Sequence, residues 1–234
     1  MATALAFVLP ADADQRYTVA GSDVYRVGDP QVQTTIAYRA VETLSISRDD
    51  GRLEFKAVAR GTRNGPAGPT PINVSFEQEM SPQGELVDRG DHDPDYLTIL
   101  NQPFAVQLDA ATLDGLRRLH GRLPFKFPAP MTGGTLEGFL QRGFSGPVSS
   151  RPALGVDFDA AGPISGPLAG RPQMTISGSI RMRGTAYYAV SGAPLMLALR
   201  ETLTISGVLH TAGRPSPVTL VYRRAIKAAP ASRR

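Results

Sequence analysis

The chain contains no cysteine. Disulfides, thiolate nucleophiles and Cys-ligated metals are therefore excluded. That absence suits a reducing cytosol and equally a cysteine-free protein of the cell envelope. Long apolar runs are missing too, since no stretch approaches the roughly 18 residues that a transmembrane helix needs. There is no G-x-S-x-G elbow, Walker loop, G-x-G-x-x-G fingerprint or H-E-x-x-H pair. The three histidines, His92, His120 and His210, are too far apart in the chain for any two to have metal-ligand spacing. No cofactor and no metal site is expected from these signals. A binding or structural protein is left as the main expectation, with hydrolysis by paired carboxylates as the enzymatic alternative.

What is present points to β structure. The 234 residues are 41% hydrophobic, enough for a substantial core, and 24 Gly with 20 Pro suit many strands joined by turns. The net charge of +4 hides an asymmetry: residues 1–110 carry 9 basic and 16 acidic side chains, and residues 111–234 carry 16 and 5. The halves, at −7 and +11, either attract each other within one domain or present a surface to anionic partners. The arginines are scattered and no aromatic residues interleave with them, so nucleic acid is not an expected partner.

Residues 174–190 alternate strictly, with Met174, Ile176, Ile180, Met182, Ala186, Tyr188 and Val190 on one parity. Period two over this length means a long strand with one buried face. After "SGAP" (191–194) the apolar positions turn odd, and after "TAGRP" (211–215) they turn even again. A three-stranded meander in register then pairs Tyr188 with Leu197, Met182 with Leu203, Ile180 with Ile205, Leu203 with Tyr222 and Leu199 with Ile226. Glu201 falls on the apolar face, opposite Arg224 and beside Gly184. It reads either as a cross-strand ion pair near the rim or as a polar spot that orients a ligand.

The first third repeats the pattern in four strands, 16–27, 32–47, 52–61 and 72–80, with turns at "GDPQ" and "RDDG" and a Gly/Pro-rich loop at 64–71. Val27 is expected beside Val32, Ile46 beside Leu53, and Leu44 beside Phe55. Glu42, again an acid on the apolar parity, is expected between Tyr17 and Ala57, and Phe76 and Met80 should face inward.

The middle changes character. "DRGDHDPDYL" (88–97) concentrates aspartates around a histidine, but its spacing does not match a calcium loop, and Arg-Gly-Asp is too short to indicate adhesion. Asp93 as N-cap, Pro94 and Asp95 read as the start of a helix. A second helix is expected from Asp109, with Leu113, Leu116 and Leu119 on one stripe and Gly121 at its end. "LPFKFPAPMTGG" reads as an extended crossing, 134–144 as a return to the sheet, and 145–170 as a long surface connection. Asp157 and Asp159 would share a face of any strand there, and Glu42 with Glu201 is the other candidate acid pair.

The expected architecture is mainly β, a single curved antiparallel sheet or incomplete barrel of two meanders, with one or two short helices on its concave face. Residues 1–15 form an N-terminal segment with features of a signal remnant. Residues 16–227 form one β-rich domain, and 228–234 a disordered tail. The order of meander, central helices and closing meander, seen in "GTAYYAVSGAPLMLALRETLTISG" (184–207), resembles the half-open barrels of the LolA-like lipoprotein-carrier group, although the lipobox cysteine of envelope lipoproteins is absent. The resemblance implies a periplasmic or cell-envelope protein, with the cytoplasm as the alternative. It implies a non-catalytic binding module for an apolar or amphipathic ligand such as a lipid or acyl group. A ligandless structural or self-associating scaffold is the other outcome. Met182, Tyr188, Leu197, Leu203 and Tyr222 would line the concave face, with Glu201 and Arg224, and Glu42 beyond them, as polar contacts. The arginine-rich outer face, with Arg181 and Arg183, is a third candidate surface.

Overall fold

The computed structural model describes residues 15–49, 52–80, 86–88, 108, 110–128, 135–168, 171–190, 196–211 and 214–229, some of them by backbone alone. Residues 1–14, the first expected helix after Asp93, and Arg89–Leu97 of the aspartate cluster lie outside them. The strands are β1 (Gln15–Val27), β2 (Val32–Asp49), β3 (Arg52–Gly65), β4 (Gly68–Met80), β5 (Leu86–Asp88), β6 (Arg122–Pro128), β7 (Thr135–Arg142), β8 (Gly146–Val148), β9 (Arg151–Leu168), β10 (Arg171–Ala189), β11 (Met196–Thr211) and β12 (Arg214–Ala228). The one described helix, α1, is Ala110–Arg118. No helix among the described residues is long and apolar enough to cross a membrane.

Eleven strands form one open antiparallel sheet in the order β5-β4-β3-β2-β1-β12-β11-β10-β9-β7-β6, with β8 paired to β9 off this path. The expected meanders are both present, and they join through β1 and β12, where Val19 faces Ile226. The long strands form because each alternates. Odd positions of β1, β3 and β11 and even positions of β2, β9, β10 and β12 carry the apolar set, and all of these point to one inner face.

The register of the last meander is as read from its parities, from Ile180 opposite Ile205 to Leu199 opposite Ile226. One position differs. Leu197 is an extra residue in a β-bulge, so Tyr188 faces Met196 instead, and Met196 and Leu197 are both buried. In the first meander Val27 faces Val32 as expected. The β2–β3 hairpin, however, is shifted by two: Ile46 faces Phe55, Leu44 faces Ala57, and Glu42 faces Ala59. A shift of two keeps every side chain on its face, so parity could not reveal it.

Three loop expectations are overturned. The Gly/Pro-rich stretch 64–71 is a tight hairpin in which Gly65 faces Gly68, whose φ of 97° is a left-handed conformation suited to glycine. Residues 122–128 are not a crossing but the edge strand β6. Residues 145–170 contain β8 and β9 rather than a surface connection, and Val156, Phe158 and Ala160 lie in the core. Helix α1 starts next to Asp109 as expected and sends Leu113 and Leu116 into the same core. Leu119 instead lies beyond the last turn and is 45% exposed. Of Phe76 and Met80 only the backbone is described. The C-terminal strand continues to a buried Ala228.

Candidate functional site

A single lateral row crosses the inner face at mid-sheet. Tyr38 (β2) faces Gly21 (β1), Gly21 faces Arg224 (β12), Arg224 faces Glu201 (β11), Glu201 faces Gly184 (β10), and Gly184 faces Phe158 (β9). The glycines make this row work. A β-carbon on Gly21 would collide with the Tyr38 hydroxyl, and one on Gly184 would lie 2.8 Å from Cζ of Phe158. Two aromatic rings therefore lie across the glycines toward the charged pair and shut it off from water.

Arg224 Nε lies 4.0 Å from Glu201 Oε1, and neither side chain is exposed at all. The guanidinium also lies 5.6 Å from the centre of the Tyr222 ring. Burial works against the charge of Arg224, but Tyr38, Glu201, Asp23 and Tyr222 around it outweigh burial and hold the proton on. For Glu201 burial dominates and pushes its carboxyl up to about 7, with Arg224 pulling the other way. Asp23, next along β1 and opposite Tyr222, is pushed up to about 6 by the same desolvation, which Arg224 and Arg63 oppose. Both Glu201 oxygens, Asp23 Oδ1 and the Tyr38 hydroxyl are buried without a hydrogen bond.

The nominated residues fall into two groups. Met182, Leu203 and Tyr222 form the row beside the charged pair and continue into Asp23. Glu201, Arg224, Met182, Leu203 and Tyr222 are thus brought together. Glu42, Tyr188 and Leu197 lie apart, toward one end of the sheet. There Tyr17 faces Glu42 and donates its hydroxyl to the Met196 carbonyl, and Tyr188 faces Met196. Glu42 is 3% exposed, has an unpartnered Oε2, and is pushed up to about 7 by burial alone.

Asp23 and Tyr38 were missed, although the signal existed: Asp23 shares the parity of Tyr17, Val19 and Tyr25 just as Glu42 shares that of Leu44.

Neither acid pair is arranged for hydrolysis. Glu42 sits three strands from Glu201 and four residues along from its row, about 14 Å across and 13 Å along by ordinary sheet spacings. Asp157 and Asp159 do share a face, but it is the outer one. Asp159 takes both nitrogens of a fork from Arg181 at 2.9 and 2.6 Å, and Asp157 accepts from Thr185 Oγ1 at 2.5 Å. Among the described residues, no three His, Asp or Glu side chains gather as a metal-ligand cluster. No family model, curated protein or solved structure matches the chain.

Proposed function

We propose that the protein is a non-catalytic binding module for an amphipathic ligand, a lipid or acyl group held against the inner face of the open sheet. The apolar part would lie along Met182, Leu203 and Tyr222, reaching toward Tyr188 and Leu197. The polar end would meet Glu201, Arg224 and their neighbours Asp23 and Tyr38. One observation carries the proposal: the buried oxygens of Glu201, Asp23 and Tyr38 lack hydrogen bonds in an otherwise apolar interior, where a ligand inserted against the sheet would meet them. Leaving such groups unpaired costs roughly 1–3 kcal/mol each, and a ligand headgroup would recover that cost. An apolar lining with a few convergent polar groups is also the usual make-up of a small-molecule site. An envelope location, where lipids must cross an aqueous space, fits a protein of this kind.

Native mass spectrometry of protein purified without detergent tests the proposal. The expected result is a lipid-sized adduct that organic solvent releases and that Glu201→Gln weakens. A bare polypeptide mass that also takes up no added fatty acid would sink it. A second reading has its own support: Met182, Leu197 and Leu203 are all 0% exposed, which suits an envelope scaffold whose core is filled by its own side chains. Edge pairing is a poor route to self-association for such a scaffold, because edge strand β6 carries Pro124 and Lys126 and β4 begins with Pro69 and Pro71.

A further inference from the structure

We propose that the outer face of the sheet carries a binding site for a phosphate-type oxyanion, formed by Arg183, Arg200 and Arg223 around Thr202. The site lies on the opposite side of the sheet from the proposed ligand surface and does not depend on it.

Register brings the arginines together. Arg183 (β10) faces Thr202 (β11), and Thr202 faces Arg223 (β12), while Arg200 is the next outward residue on β11. Directly opposed β-carbons lie about 4.5–5.5 Å apart, so Arg183 and Arg223 are rooted on either side of Thr202 and Arg200 joins along its own strand, all with side chains long enough to converge above it. All four residues line one depression of about 760 Å³. Its floor includes Ala20, Ala225 and the glycines of the inner row, so small side chains leave room between the long ones.

Three like charges this close repel each other, and the acids nearby, Asp157 in the same depression and Asp159 directly across from Arg183, are fewer than the arginines and offset them only in part. Asp159 is held by the Arg181 fork, which pulls its carboxyl below the usual range, and it reaches Arg183 only through space. Asp157 is tied to Thr185. Among the described residues Arg183, Arg200 and Arg223 form no hydrogen bond or ion pair, unlike Arg181.

Donors converging from three strands suit a group with three free oxygens. A carboxylate offers only two, in one plane, whereas a terminal phosphate can take one fork or hydroxyl at each oxygen. A second depression of about 790 Å³ shares Arg183 and Thr202 and continues past Thr204, Ser206 and Ser179. That hydroxyl-lined extension has room for whatever bears the phosphate, a soluble phosphate ester or a lipid headgroup.

Calorimetric titration with inorganic phosphate at constant ionic strength tests the site, using wild type, Arg200→Gln, Arg223→Gln and, as a control, Arg60→Gln on the exposed face of β3. The expected result is binding by wild type and Arg60→Gln, weakened about tenfold in each of the other two, the size of one lost charge-assisted bond. Circular dichroism checks that every variant is folded. No binding by wild type, equal weakening in Arg60→Gln, or an equal response to chloride overturns the proposal. Sedimentation with phosphatidic acid vesicles identifies the source. Vesicle binding lost in Arg200→Gln supports the site with a headgroup as ligand, and phosphate binding without vesicle binding supports it with a soluble ester.

Discussion

Glu42 offers a direct measurement of what burial does inside this sheet. Its carboxyl is 3% exposed and pushed from 4.5 up to about 7 by desolvation, with no cation contributing. In the unfolded chain the same group ionises near its ordinary value. Between pH 4.5 and 7 the folded state therefore holds a proton that the unfolded state has released, and stability falls as pH rises through this window. The stabilisation is fully present below the unfolded value and gone above the folded one. A shift of this size corresponds to on the order of 3 kcal/mol. Glu42→Gln replaces the protonated acid with a neutral group of similar shape. The variant should match wild type at pH 4.5 and exceed it at pH 8 by most of that amount. With a urea slope of roughly 1–3 kcal/mol/M, the midpoint should move by about 1 M or more. Glu201 and Asp23 tilt wild type the same way, but both remain in the variant and lie far enough away for the effects to add, so the difference isolates Glu42. Parallel pH profiles for the two proteins would show that burial is not holding the proton. A variant less stable than wild type at pH 8 would mean that the carboxylate is ionised and paired.

Arg224→Met should cost on the order of 3–5 kcal/mol in urea unfolding by leaving Glu201 buried without its partner, and Glu201→Leu added to it should restore most of the loss; a double variant no better than the single would refute the pairing. Gly184→Val should destabilise by at least about 1–3 kcal/mol, because its β-carbon would lie 2.8 Å from Phe158, whereas Gly115→Ala in α1, with nothing within 4 Å, should be neutral or raise the melting temperature.

Parity decides what the sequence could reveal. The Glu201–Arg224 pair was legible because two turns of definite length constrain one another across three strands. Parity alone says which face a residue takes and not which partner, so the β2–β3 hairpin came out two residues off with every face correct. The bulge at Leu197 hides in "PLML", an apolar run that alternation cannot divide. Strand β9 looked like a loop because of its glycines and prolines, yet Leu154, Val156, Phe158, Ala160 and Ile164 hold even positions throughout. Its prolines sit where they cost little. β7 pairs only with residues 156–161, so Pro163 and Pro167 lie past its reach, while Pro152 meets Pro147 of the short β8. The interior charges have the same explanation. Asp23 and Tyr38 keep the apolar parity of their strands, but only the pairing of β1 with β12 brings them to Arg224, and no local pattern announces that pairing.

The contact of β1 with β12 also has a kinetic side. Every hairpin in either meander closes over a short turn, whereas the seam brings Tyr17 to Ala228 across nearly the whole chain. Closing a loop of some two hundred residues costs about 3–4 kcal/mol more entropy than closing a tight hairpin. The two meanders can thus assemble separately and zip together last, making the seam the slow, topology-limited step. Their opposite net charges, −2 for residues 15–88 and +8 for residues 122–228, act at a distance before any side chain touches, and salt would weaken that pull. Opposite charge on two half-sheets would then draw them together before the seam forms, a role distinct from any the finished surface has.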